Sequence, residues 1–147
     1  MSSQSRSELN EKISRLYAEL NMLNSVAEAL QRHQENLVKM ITDAQLTLDT
    51  LKTIKEVETG SSILIPLGSL VMINVQIVDN ENALLNVGSG VMVKKPISNI
   101  EDYLENHILQ LQREQLATQK KLEEIANRIS ILQAELNRLA RSYQEQR

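Results

Sequence analysis

The chain has 147 residues, of which 41% are hydrophobic and 24% charged, the size and composition of one ordinary domain. It contains no Phe, no Trp and only three Tyr, which argues against a compact core built on large rings and favours an elongated molecule. The net charge of -3 argues against a nucleic-acid partner, and the absence of Cys excludes disulfides and thiolate metal sites.

The first residues of the chain are polar and lack the apolar segment of a signal peptide. No apolar stretch approaches the roughly 20 residues that are needed to cross a bilayer. We therefore expect a cytoplasmic protein with no membrane partner.

Residues 1–58 carry a heptad pattern that predicts a coiled-coil helix. Apolar residues recur at alternating steps of four and three, and only Gln34 interrupts them. Ser5 with Glu8 predicts an N-terminal capping box, and Gly60 predicts the end of the helix. The positions of this seam are Leu9, Ile13, Leu16, Leu20, Leu23, Ala27, Leu30, Gln34, Leu37, Ile41, Ala44, Leu48 and Leu51.

Residues 59–96 change to a strand-like pattern, and four apolar runs predict four strands in two hairpins. The runs are 63–65, 70–78, 83–85 and 91–93, and turn sequences separate them. Isolated hairpins are marginal in water and their apolar edges aggregate, so we expect hairpins of several chains to form a shared β-barrel that serves as an assembly platform. The predicted assembly residues are Ile63, Ile65, Leu70, Met72, Val75, Ile77, Leu84, Val87, Val91 and Val93.

Residues 97–147 return to the heptad pattern and predict a second coiled-coil helix. Its start is indicated by Pro96 and by Ser98 with Glu101, which form an S-x-x-E capping box. The seam positions are Leu104, Ile108, Leu111, Gln115, Thr118, Leu122, Ile125, Ile129, Leu132, Leu136, Leu139 and Tyr143.

The two helices match each other if the chain folds back on itself as an antiparallel coiled coil. Facing residues then have a roughly constant sum of residue numbers, and pairing Gln34 with Gln115 sets this sum at 149. Small Ala27 then faces large Leu122, and a polar layer in the middle selects the register. The alternative is that the two Gln side chains are simply partly solvated. The predicted fold class is mainly α with a small β part, a long two-helix coiled coil joined by two β-hairpins.

Three short segments between the heptad helices carry a resemblance to a known family. They are Ile65-Pro66-Leu67-Gly68, Asp79-Asn80-Glu81-Asn82 and Asn86-Val87-Gly88-Ser89-Gly90-Val91. Together with the two heptad helices they resemble prefoldin, over nearly the whole chain. The presence of two hairpins resembles the alpha-type subunit, and the simplicity of the sequence resembles archaeal members.

This resemblance implies a heterohexamer of two alpha and four beta subunits, in which the hairpins form a double β-barrel. It also implies that the tips of the coiled coils hold non-native proteins without ATP or another cofactor. Clients would then pass to a group II chaperonin in the archaeal or eukaryotic cytosol.

Capture of unfolded proteins requires exposed apolar side chains, so the client-binding residues are expected at the tips. The seam candidates there are Leu9, Ile13, Leu16, Leu132, Leu136, Leu139 and Tyr143, which become available if the helix ends fray. The candidates outside the seam are Tyr17, Met22, Val26 and Ile131, which have no partner within a two-helix coiled coil. The alternatives are plain coiled-coil core for the first set and scattered surface residues for the second.

No arrangement of residues predicts an enzyme. His33 and His107 lack an accompanying nucleophile or carboxylate cluster, and Gly88-Ser89-Gly90 lacks the helix and lysine of a phosphate-binding loop. The alternative to a chaperone is a structural tether or scaffold subunit, which would bind one defined partner and ignore generic unfolded protein.

Overall fold

The computed structural model describes residues 2–145, so Met1 and residues 146–147 of the predicted helical segments lie outside the described range. Two long helices precede and follow two antiparallel hairpins along the chain, which confirms the predicted fold class. The elements are α1 (Ser3–Glu56), β1 (Ser62–Pro66), β2 (Met72–Gln76), β3 (Asn82–Asn86), β4 (Met92–Pro96) and α2 (Ile97–Glu145). They form two compact units. Unit 1 comprises the chain up to Val38 and from Arg113 on, and unit 2 comprises Lys39–Gln112.

The helices of unit 1 bury the residues that the heptad pattern predicts. Leu132 is fully buried, at 0% exposure, because it is surrounded by apolar residues of both helices. We call its cluster the unit 1 core. Its buried members are Leu16, Leu132, Leu136 and Leu139, and Leu9, Ile13, Leu20 and Leu23 pack against them.

Two ion pairs and one histidine–carboxylate hydrogen bond link α1 to α2 beside the seam of unit 1. They are Lys12–Glu135 at 3.7 Å, Glu19–Arg128 at 3.0 Å and His33–Glu114 at 2.8 Å. In each of these three pairs the two residue numbers add up to 147, whereas the predicted register gives a sum of 149. Because the side chains are partly exposed, each pair contributes little stability, about 0–1 kcal/mol. The pairs agree with an antiparallel arrangement of the two helices within this unit.

The polar interruption of the seam differs in detail from the prediction. Gln34 donates a hydrogen bond to the Gln119 side chain at 3.4 Å, one helical turn beyond the predicted partner, Gln115. The side-chain carbonyl oxygen of Gln34 is buried and has no hydrogen-bond partner within residues 2–145. A long amide side chain reaches along the helix axis, so its hydrogen bond need not follow the layer of its Cα atom. Thr118 is buried and Gln115 half-buried at the same interruption.

Unit 2 has its own apolar core, formed by the end of α1, the start of α2 and one hairpin. Its buried members are Ala44, Leu48, Ile100, Leu104 and Ile108. Ala83 and Leu85 of β3 pack against this cluster, together with Ile41 and Leu51. Since side chains alternate along a strand, Leu84 between them points away from the helices and is exposed. The hairpin β3–β4 is thereby anchored to the helices through one face.

The two hairpins are separate two-stranded sheets. In the first, Ile63 pairs with Val75 and Ile65 with Ile73, so these four side chains share one face. In the second, Leu85 pairs with Val93, and Leu84 with Lys94 on the opposite face.

The second strand is shorter than the apolar run 70–78 predicts. Leu70 lies in the turn before β2 and Val78 lies beyond its end, and both are exposed. The turn is fixed by Gly68, whose φ of 146° favours glycine, and by a hydrogen bond from the Leu67 amide to the Val71 carbonyl. In this segment, an apolar side chain indicates an exposed surface residue rather than a residue of a paired strand.

Neither predicted capping box forms. The cap of α1 is Ser2, whose hydroxyl accepts a hydrogen bond from the Ser5 amide at 3.3 Å. Helix α2 follows β4 without a loop, and its first amide, that of Ile97, donates to the Glu81 carbonyl at 2.8 Å. Ser98 therefore lies inside the helix, and the Glu101 carboxylate accepts a hydrogen bond from Lys55.

Candidate functional site

The apolar residues predicted to bind clients fall into two environments in unit 1. Leu16, Leu132, Leu136 and Leu139 are buried in the unit 1 core. Leu9, Ile13 and Tyr143 are half-buried. Except at the edge of Leu136, which lines a surface groove, a ligand reaches the buried residues only if the helices separate locally. The intact seam otherwise offers them no role beyond packing.

The residues outside the seam are the ones that solvent reaches. Tyr17 is 55% exposed and Ile131 57%, and Met22 and Val26 are exposed as well. We call these four residues the helix-end surface. Large apolar side chains at this exposure gain free energy when a partner covers them, at about 25 cal/mol per Å² of apolar area. The helix-end surface can therefore bind apolar groups without any rearrangement of the helices.

Tyr17 lies beside a shallow groove between α1 and α2. The groove has a volume of about 320 Å³ and is lined by Tyr17, Leu20, Gln133, Leu136 and Asn137. The mostly buried Leu136 therefore lines the same groove as the exposed ring of Tyr17. An apolar group that docks on Tyr17 can contact residues of both helices.

The predicted assembly residues of unit 2 are mostly accessible. Leu70 is 94% exposed, and Met72, Leu84, Val87 and Val91 are also exposed. Ile63, Ile65, Val75 and Val93 are half-buried, and Ile77 is buried. We call the exposed apolar residues of 64–92 the hairpin surface.

Sequence reasoning missed part of this surface. Further exposed members are Leu64, Leu67, Val71, Ile73, Val78 and Met92. Strand alternation could have identified Leu64, because it must point away from Ile63 and Ile65. Each sheet has only two strands, so each strand also leaves one row of backbone groups without a strand partner within the described chain.

The connection between the hairpins is held by hydrogen bonds. Asp79 accepts from the amides of Glu81 and Asn82, and Asn80 donates to the Val57 carbonyl at the end of α1. The Glu81 amide, the Asn82 side chain and the charge of Lys94 together lower the pKa of the Asp79 carboxyl. Desolvation opposes this shift but does not reverse it.

The histidines take part in contacts between side chains rather than in a cluster. His33 bonds to Glu114, and the His107 ring stacks on Tyr103 at 6.1 Å between ring centres. Within residues 2–145, no three His, Cys, Asp or Glu side chains are grouped to hold a metal ion. No helix of this part of the chain is long and apolar enough to cross a membrane.

Two long heptad helices joined by a pair of apolar hairpins define a coiled-coil protein with a β insert. The chain belongs to the prefoldin family, since the family model described as prefoldin subunit matches residues 23–142. It is accordingly a chaperone-type subunit, as the resemblance predicted.

Two similar curated proteins come from archaea. The chain is 29% identical to prefoldin subunit alpha of Archaeoglobus fulgidus, over 90% of this chain and 93% of the relative. It is 30% identical to prefoldin subunit alpha of Pyrococcus horikoshii, over 82% of each chain. The predicted resemblance to an archaeal alpha-type subunit is confirmed.

A solved structure shares the fold. The cryo-EM structure of filamentous PFD from Methanocaldococcus jannaschii has a TM-score of 0.70 and 22% sequence identity. The match covers 79% of this chain and 96% of that chain.

Proposed function

We propose that the chain is a subunit of an ATP-independent holdase, which binds non-native proteins at the free ends of its helices. The observation that carries this proposal is the helix-end surface. Four large apolar side chains remain exposed at positions outside the seam of the two helices. An unfolded client presents apolar side chains rather than a defined shape, and an accessible apolar surface is what recognises it.

Nothing in this mode of binding requires a cofactor or a catalytic group. Affinity comes from apolar area, and Met22 adds a side chain that adapts to irregular contacts. The seam residues beneath, Leu9 and Leu139 among them, would add area where the helix ends open. Binding is then broad, with the client identified by its unfolded state.

Assembly is assigned to the hairpin surface. We place the chain in a heterohexamer of two alpha and four beta subunits, in which the hairpins pair into a double β-barrel. The open strand edges and the exposed residues Leu64, Leu84 and Met92 support this role, because pairing with other chains covers both. The related Methanocaldococcus protein forms filaments, which is itself an assembly of chains with this fold.

The complex would work in the cytoplasm and pass its clients to a group II chaperonin. These two assignments are what the resemblance to prefoldin implies. Such a transfer would suit a holdase without a nucleotide cycle, since apolar binding alone does not fold the client.

The test is a variant that makes the helix-end surface polar, Tyr17→Ser/Met22→Gln/Val26→Ser/Ile131→Gln. Its matched control replaces four equally exposed residues of unit 2, Tyr103→Ser/Met40→Gln/Leu46→Ser/Leu109→Gln. Each complex is assembled with a beta-type subunit and its mass is measured. Aggregation of several unrelated denatured proteins is then followed by light scattering without ATP.

We expect the control to delay aggregation as the unchanged complex does, and the helix-end variant to lose most of this effect. Equal suppression by both variants would contradict the assignment to the helix-end surface. A structural tether predicts a different result, namely that the unchanged complex itself delays no aggregation.

A further inference from the structure

Unit 1 contains a second groove, along the seam between α1 and α2, with a volume of about 700 Å³. Its apolar lining is Ala27, Leu122, Ala126 and Ile129. The groove opens because Ala27 occupies a seam position that holds a Leu one heptad earlier, and a methyl group leaves that layer unfilled. Leu122 and Ile129 are consequently only half-buried.

The rim of this groove is acidic on both sides. Glu28 of α1 and Glu123 of α2 line it, and neither forms an ion pair with any described residue. Glu123 accepts a hydrogen bond from the side-chain amide of Gln119 at 3.5 Å, which leaves its charge in place. The remaining polar lining residues, Asn24, Gln31 and Ser130, carry no charge. The groove thus combines an apolar floor with two carboxylates and no cation.

We infer that this groove binds a segment of unfolded polypeptide in which an aliphatic or aromatic side chain stands next to Lys or Arg. The apolar side chain covers the exposed parts of Leu122 and Ile129, and the basic side chain lies between the two carboxylates. An acidic segment meets like charge and is repelled. The inference rests on the proposed function, because it specifies which segments of a non-native client the helices favour beyond the helix-end surface.

The test uses two short labelled peptides of equal length, one alternating Leu with Arg and one alternating Leu with Gln. Their binding to the assembled complex is measured by fluorescence anisotropy at low salt. Two partly exposed ion pairs predict that the Arg peptide binds roughly 2- to 10-fold more tightly. This preference should fall as the salt concentration rises.

The decisive variant is Glu28→Gln/Glu123→Gln, which we expect to bind both peptides equally. Its matched control is Glu35→Gln/Glu124→Gln, which removes the same number of charges. Glu35 lies one heptad after Glu28 and Glu124 lies one residue after Glu123, and neither lines the groove. The control should keep the preference for the Arg peptide. If both variants lose it equally, the attraction belongs to the whole surface and the inference is overturned.

A third variant, Ala126→Leu, fills the groove from its exposed rim. It should weaken binding of both peptides without lowering the helix signal at 222 nm in circular dichroism. Unchanged binding would also overturn the inference. These results are independent of aggregation suppression, which tests the proposed function. A complex that delays aggregation but shows no groove-dependent preference contradicts the groove alone.

Discussion

Ile131 and Leu132 are neighbours in the chain with opposite environments. Leu132 is fully buried in the unit 1 core, whereas Ile131 is 57% exposed. Their side chains are of equal volume and similar hydrophobicity, so the difference between them is position in the heptad alone. The pair separates stability from the proposed client binding at the scale of a single residue.

We predict that Leu132→Ala lowers the free energy of unfolding by about 2–5 kcal/mol, because it removes buried contacts and leaves a cavity. Ile131→Ala should change it by less than about 0.5 kcal/mol, as an exposed substitution does. Urea unfolding followed by circular dichroism at 222 nm measures both. Equal destabilisation would contradict the burial described for Leu132.

At the scale of the elements, the heptad pattern predicted the helices well. Burial follows the predicted seam in both α1 and α2, because a single apolar stripe leaves each helix one way to pack. The strands were less predictable. Leu70 is apolar yet lies before β2, since turn geometry at Gly68 rather than hydrophobicity decides where pairing starts. Val78 is apolar yet lies beyond the other end of the strand.

The candidate sites followed from the sequence only in part. The exposed residues Tyr17 and Ile131 could be identified, because positions outside a two-helix seam have no partner. The groove at Ala27 could be identified only in part, because the predicted register places Ala27 opposite Leu122, which does line it, but does not indicate the other side chains at its border. Its acidic rim depends on where Glu28 and Glu123 lie across the two helices, which is a property of the packed unit.

The link between the two hairpins depends on pH through Asp79. The pKa of its carboxyl is lowered in the folded chain, chiefly because the carboxylate accepts a hydrogen bond from the Glu81 amide and then one from the Asn82 side chain. A group with a lowered folded pKa stabilises the fold above its ordinary pKa, about 3.9 for Asp. This contribution is lost as the pH falls from there through the lowered folded value.

We therefore expect an NMR titration of the Asp79 carboxyl carbon to give a pKa below the ordinary value. Asn82→Ala should raise this pKa towards the ordinary value, because it removes a donor to the ionised form. Exchange of the Glu81 amide should accelerate as Asp79 becomes protonated. A carboxyl that titrates at its ordinary pKa in both proteins would contradict these hydrogen bonds.

At the scale of the whole molecule, two kinds of apolar surface are open to partners. The hairpin surface is a feature of unit 2 and includes strand edges, which demand regular pairing with other strands. The helix-end surface is a feature of unit 1 and consists of side chains alone. Backbone pairing fixes one geometry, so the hairpin surface suits permanent subunits. Side-chain contact is compatible with many geometries, so the helix-end surface suits clients that bind reversibly.

Leu84→Glu separates assembly from folding of the chain. Leu84 is 62% exposed and points away from the unit 2 core, so the substitution should leave the helix signal at 222 nm unchanged. It places a carboxylate where neighbouring subunits are proposed to pack. Lys94 lies opposite residue 84 across the hairpin, but removing the charged groups from water in an interface still costs several kcal/mol per ion. Native mass spectrometry with a beta-type subunit should then detect separate chains.

Leu46→Glu is the control, since Leu46 is 64% exposed on α1, away from the hairpins in sequence, and this variant should assemble fully. A complex of full mass with Leu84→Glu would exclude this face of β3 from the interface, and assembly would then depend on other parts of the hairpin surface.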